Sequence, residues 1–138
     1  IKRIGIQSKI KRKTYGKILI VDDSAYTRAI EKAILESSGY EVLEASDGID
    51  AIEVLKKSNV DLIVSDINMP RMDGFTFIEN IKKQKNFASI PFVFVSTKDS
   101  KDDKDKAKNL GANDYITKGS FDEMNLIDTI KQLVTSNK

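Results

Sequence analysis

From Lys17 to Lys138 the sequence describes an α/β domain: a doubly wound, five-stranded parallel sheet with helices on both faces, in (βα)5 order. Three observations lead there. Short apolar runs alternate five times with segments of helical periodicity, the pattern of βα units on a parallel sheet. Three of those runs, ILIV, LIV and FVFV, are apolar without interruption, as strands covered on both faces require. The segments between them carry apolar stripes at helical spacing, each able to lay one face on a sheet.

The first strand is expected at Ile18 to Val21, with Ser24 as N-cap of the helix that follows. On that helix Tyr26, Ala29, Ile30, Ala33 and Ile34 form the stripe expected to meet the sheet, and Gly39 sits where the chain leaves the helix in a left-handed turn. The second strand is Glu41 to Ala45. Asp47 then caps a helix whose inner face is Ala51, Ile52 and Leu55. A third strand from Asp61 to Ser65 leads to a helix packing through Phe75, Ile78 and Ile81. The fourth strand is Phe92 to Ser96. The helix after it, Ser100 to Leu110, offers only Ala107 and Leu110 to a core within KDSKDDKDKAKNL, so it is expected to be the least firmly docked. Gly111 ends it, Asp114 to Thr117 form the fifth strand, and Ile127, Ile130, Leu133 and Val134 stripe the last helix.

Composition narrows the chemistry. The chain has no cysteine and no histidine, which removes disulfides, thiolate sites and the commonest general base and zinc ligand. Any metal must be a hard cation held by oxygen. No apolar run approaches the roughly 18 residues of a membrane span, and no secretory signal pattern opens the chain, so no membrane insertion and a cytoplasmic location are expected. The net charge of +2 is uneven: Ile1 to Lys17 holds seven of the 23 basic residues and no acidic one. Residues 1–16 therefore read as a basic linker or the end of a preceding domain, and 17–138 as the folded unit. An opening Ile rather than Met fits a piece of a longer protein.

In a doubly wound sheet, ligands bind beyond the carboxyl ends of the strands at a topological switch point. Asp22 and Asp23 follow the first strand, Asp66 the third, Ser96 and Thr97 close the fourth, and Lys118 follows the fifth. Singly, each is an ordinary cap, turn or surface residue. Together they bring three carboxylates, a hydroxyl and an ammonium to one sheet edge. Carboxylates so crowded repel one another unless one is protonated or a cation joins them, and Mg2+ is the natural oxygen-liganded candidate. The chemistry implied is attack by a carboxylate on phosphorus to give an aspartyl phosphate.

The segments VDDS (Val21 to Ser24), DINMPRMDG (Asp66 to Gly74), VST (Val95 to Thr97) and GANDYITKG (Gly111 to Gly119) resemble the response-regulator receiver family, whose fold is flavodoxin-like. The resemblance implies that Asp66 accepts a phosphoryl group from a histidine kinase or phosphotransfer domain. It implies that Asp23 and Asp66 ligate Mg2+ directly, Asn68 through its backbone carbonyl and Asp22 through water. Ser96 and Lys118 would contact the phosphoryl group, and Ser96 with Tyr115 would carry the switch to the face made by the fourth helix, fifth strand and fifth helix. Self-dephosphorylation belongs to the same inheritance. Lys118 is followed by Gly119, where the family usually has a cis proline. The segment KGSFDEMNLIDTIKQLV is similar to receivers at the C-terminus of chemotaxis-type hybrid histidine kinases, which suggests a chemotaxis signalling or motor partner.

Three other functions compete. A haloacid-dehalogenase-type phosphohydrolase would need a second Asp where Asn68 stands. A flavodoxin-like cofactor binder would offer hydroxyls and backbone amides to a phosphate from its first loop, which Asp22 and Asp23 oppose. A DNA-binding fragment rests on the basic arm alone, without a helix-turn-helix signal, so no direct nucleic-acid contact is expected.

Overall fold

The computed structural model describes residues 15–118 and 123–136. Most of the basic lead-in, and Gly119 with the peptide bond before it, lie outside the described residues. Five strands, β1 (Lys17–Val21), β2 (Glu41–Ala45), β3 (Leu62–Ser65), β4 (Phe92–Ser96) and β5 (Asp114–Thr117), alternate with five helices. These are α1 (Ala25–Ser37), α2 (Gly48–Lys57), α3 (Gly74–Lys82), α4 (Lys101–Asn109) and α5 (Glu123–Ser136). All strand pairings are parallel, in the order β2-β1-β3-β4-β5. The chain therefore reverses its winding between β1 and β3.

Alternate residues of each strand feed two cores, as the twofold period of a strand dictates. Leu19, Val21, Ile63, Phe92 and Phe94 point to α2, α3 and α4, where Leu55, Phe77, Ile78 and Ile81 meet them. Ile18, Ile20, Leu62, Val64 and Val93 point to α1 and α5, against Ile34, Leu35, Leu126 and Ile130. Caps form where the sequence placed them: Ser24 and Asp47 accept from the amides of Thr27 and Asp50, and Gly39 and Gly111 take φ of +97° and +105°.

The expected inner face of α1 is a correction. Tyr26, Ala29, Ile30 and Ala33 are exposed, and of that stripe only Ile34 is buried. The helix is turned so that Glu31, Ile34 and Leu35 face the sheet. Both stripes have helical spacing, and the buried one carries a carboxyl, which disguised it. Tyr15 also docks on the domain: its amide donates to the Gly39 carbonyl at 2.9 Å and its ring stands edge-on to Tyr40.

Candidate functional site

Register decides which strand ends become neighbours. Val21 pairs with Ser65, so Asp22 and Asp66 leave the sheet side by side, and the Asp66 amide donates to the Val21 carbonyl at 2.9 Å. Ser96 pairs with Thr117, which sets Lys118 beside them at the far end of the same edge. Carboxylate oxygens of Asp22, Asp23 and Asp66 lie within 4.8 Å of one another. The lysine ammonium closes the group, 3.1 Å from Asp22 Oδ2 and 3.3 Å from Asp66 Oδ2.

The remaining oxygens are fixed by backbone amides. Asp22 Oδ1 accepts from Ser24 at 2.9 Å and Asp66 Oδ1 from Ile67 at 2.7 Å. Burial raises the Asp66 pKa above its ordinary value, Lys118 opposes that rise, and Asp22 adds to it. The same burial depresses Lys118, but Asp66 and Asp22 outweigh it and the net shift is upward. One ammonium thus faces three crowded carboxylates, an all-oxygen donor set that fits a divalent cation such as Mg2+.

Ser96 is fully buried, and its Oγ accepts from the Lys98 amide at 3.1 Å. The Tyr115 hydroxyl donates to the Lys98 carbonyl at 2.8 Å, while its ring lies 6.1 Å from that of Phe94. Burial raises the tyrosine pKa and a hydrogen bond with Ser96 opposes the rise. Ser96 and Tyr115 thus bond to the amide and the carbonyl of the same residue, Lys98. Asn68 and Thr97 are exposed on the loops of the same edge. The loop after Asp66 is shaped by Gly74, whose amide donates to the Ile67 carbonyl at 2.7 Å and whose missing Cβ leaves room for the Asp66 carbonyl oxygen.

Two features escaped sequence reasoning. Arg71, in a left-handed conformation at φ 63°, grips the buried Asp47 carboxylate through Nε at 2.7 Å and Nη2 at 3.1 Å, tying the loop after β3 to the cap of α2. The Arg within the DINMPRMDG segment was its only signal. Glu31 is 4% exposed on the inner face of α1. Burial first, and Asp22 second, push its pKa up to about 8 against the pull of Lys118. Its placement in line with Ile34 and Leu35 was the available clue.

Comparison with known proteins agrees with this edge of charges. Residues 18–131 match the model of the response regulator receiver domain. Protein PilH of Pseudomonas aeruginosa is 37% identical over 119 residues, covering 86% of this chain and 98% of that one. A gliding motility regulatory protein of Myxococcus xanthus is 35% identical over 117 residues, 85% of this chain but 15% of its own length. Chemotaxis response regulator CheY4 of Vibrio cholerae superposes with a TM-score of 0.79 at 33% identity, over 88% of this chain and 99% of that one. The receiver domain of sensor histidine kinase PA1611 from Pseudomonas aeruginosa, solved with a magnesium ion coordinated in its active-site cleft, gives 0.79 at 27% identity, over 87% and 98%. The sheet order, the acidic edge and these likenesses converge: the chain belongs to the response regulator receiver family, the phosphoryl-accepting domains of two-component signal transduction.

Proposed function

We propose that Asp66 is the phosphoryl acceptor of this receiver and that Asp22, Asp23, Asp66 and the backbone carbonyl of Asn68 hold Mg2+, with Asp22 acting through water. The observation that carries the reading is the half-buried Asp66 carboxylate between two acidic neighbours and the Lys118 ammonium. A carboxylate oxygen of Asp66 attacks the phosphorus of a phosphohistidine; the P–N bond breaks as the P–O bond forms, and the departing imidazole nitrogen takes up a proton. Mg2+, when bound, supplies positive charge opposite the phosphoryl oxygens. Lys118 offsets what remains of their charge, and Ser96 donates a hydrogen bond to one of them, giving up its present acceptor role toward Lys98. That movement frees the Lys98 backbone, to which the Tyr115 hydroxyl is bonded, and is read on the face of α4, β5 and α5.

Receiver domains interact with histidine kinases or phosphotransfer proteins, and one of these is the proposed donor. Likeness to CheY4 supports a chemotaxis-type setting. Likeness to the receiver of PA1611 supports a place beside a kinase, with residues 1–16 as the linker. Incubation with a small phosphodonor and Mg2+ is expected to add one phosphoryl group, and Asp66→Asn to abolish the addition. Labelling of Asp66→Asn at the normal rate, or labelling unaffected by excess chelator, would overturn the assignment.

A further inference from the structure

Glu31 is a buried carboxyl for which no hydrogen bond or ion pair forms among the described residues, although burying such a group without a partner is costly. A group left this way in one state is accounted for if a partner reaches it in another. Glu31 shares a cavity of about 160 Å3 with Thr27, Ile30, Val95 and Lys118. Lys118 is the one cation among those lining residues, and its charge already acts on Glu31. Its present bonds, 3.1 and 3.3 Å, are longer than the roughly 2.7–2.9 Å of strong charge-assisted pairs. They also occupy Asp22 and Asp66 oxygens of the cluster that would ligate a cation.

We propose that Glu31 is a positioning residue for Lys118: a second carboxylate station, to which the ammonium transfers when Asp22, Asp23 and Asp66 take a divalent cation. This rests on the metal-binding reading above. Two cations drawn to the same oxygens repel, and the Glu31 carboxyl facing the same cavity, which gives up its proton as the ammonium arrives, lets the lysine step aside while staying within the site. Added phosphoryl charge on Asp66 then draws the ammonium back. Glu31 touches neither phosphorus nor metal and acts through Lys118 alone.

Mg2+ titration of the full 138-residue chain by calorimetry, with lysine side-chain signals followed by NMR, tests the inference. Glu31→Gln is expected to weaken Mg2+ binding by about tenfold, because Lys118 is left against the cation. In a Lys118→Ala background, where binding is expected to be intact or tighter, the same substitution should change it by less than about twofold. The Lys118 side chain should stay ordered when Mg2+ binds the wild type and become mobile in Glu31→Gln. Glu31→Val, which fills the site with an apolar side chain, should repeat the weakening if Glu31→Gln folds poorly. Equal weakening with and without Lys118 would mean that Glu31 acts as a distant charge, and no weakening in either would mean that it does not act on the lysine; both overturn the proposal. Wild-type chain that binds no Mg2+ at all removes the metal reading and this inference together.

Discussion

Glu31 gives the fold a proton-linked stability of its own. Its folded pKa of about 8 stands above the ordinary 4.5 of the unfolded chain, so the native state keeps a proton that the unfolded state has lost. With a raised folded pKa, the contribution is fully present below pH 4.5 and declines as pH rises through the window to about 8. Within that window the slope approaches about 1.4 kcal/mol per pH unit from this group. Urea unfolding of wild type and Glu31→Gln between pH 5 and 8 should show the wild type losing stability relative to the variant as pH rises. Parallel curves would show that the carboxyl is already ionised in the native state. Asp47, buried just as deeply, behaves in the opposite way. Arg71 and the Asp50 amide overcome its burial and hold its pKa low, which marks what a partner does for a carboxylate inside this fold.

Helices differ in how firmly they are attached, and the difference follows from what each one buries. α3 contributes Phe75, Phe77, Ile78 and Ile81 to the core, whereas α4 contributes Ala107, with Leu110 just past its end half-buried. What supports α4 besides is polar or peripheral: the Ser100 cap on the Asp103 amide, a Lys101–Asp105 pair at 2.7 Å, and Lys106 lying 4.5 Å above the Phe75 ring. Exposed ion pairs of this kind contribute little. Amides of Lys101–Asn109 are therefore expected to exchange with deuterium well before those of Gly74–Lys82 under the same native conditions. Comparable protection in both helices would remove α4 as the yielding element of the proposed Ser96–Tyr115 switch. Both side chains bond to Lys98, in the loop that leads into that helix.

The Asp22, Asp23 and Asp66 carboxylates join the ends of β1 and β3, so Mg2+ bound there as proposed would stabilise the native state over the unfolded one by mass action. At a hundred times its Kd the gain is about 2.7 kcal/mol. Urea midpoints with and without Mg2+ should differ accordingly in the wild type and converge in Asp23→Asn; no Mg2+ effect on the wild type would contradict the site. Much of this architecture was readable beforehand. β2, β4 and β5 fall on the expected residues, and Asp22, Asp23, Asp66, Ser96 and Lys118 meet at one edge because unbroken apolar runs locate the strand ends that carry them. β1 begins one residue earlier and β3 one later than expected. Lys17 joins β1 by pairing with Glu41, and its amide also donates to Asp61 Oδ2 at 2.8 Å, across 44 residues; no local pattern announces either contact. The orientation of α1 and the Arg71–Asp47 pair were hidden for the same reason, since each depends on what lies opposite in space. Distance along the chain also sets a timetable. Lys118 meets Asp66 across 52 residues and Asp22 across 96. At roughly 5–20 residues per second, a ribosome makes Asp66 about 3–10 s before the lysine exists. If Asp66 is the acceptor as proposed, a nascent chain carries it before it carries the means to use it, and a phosphoryl donor meets a competent target only once synthesis has passed the fifth strand.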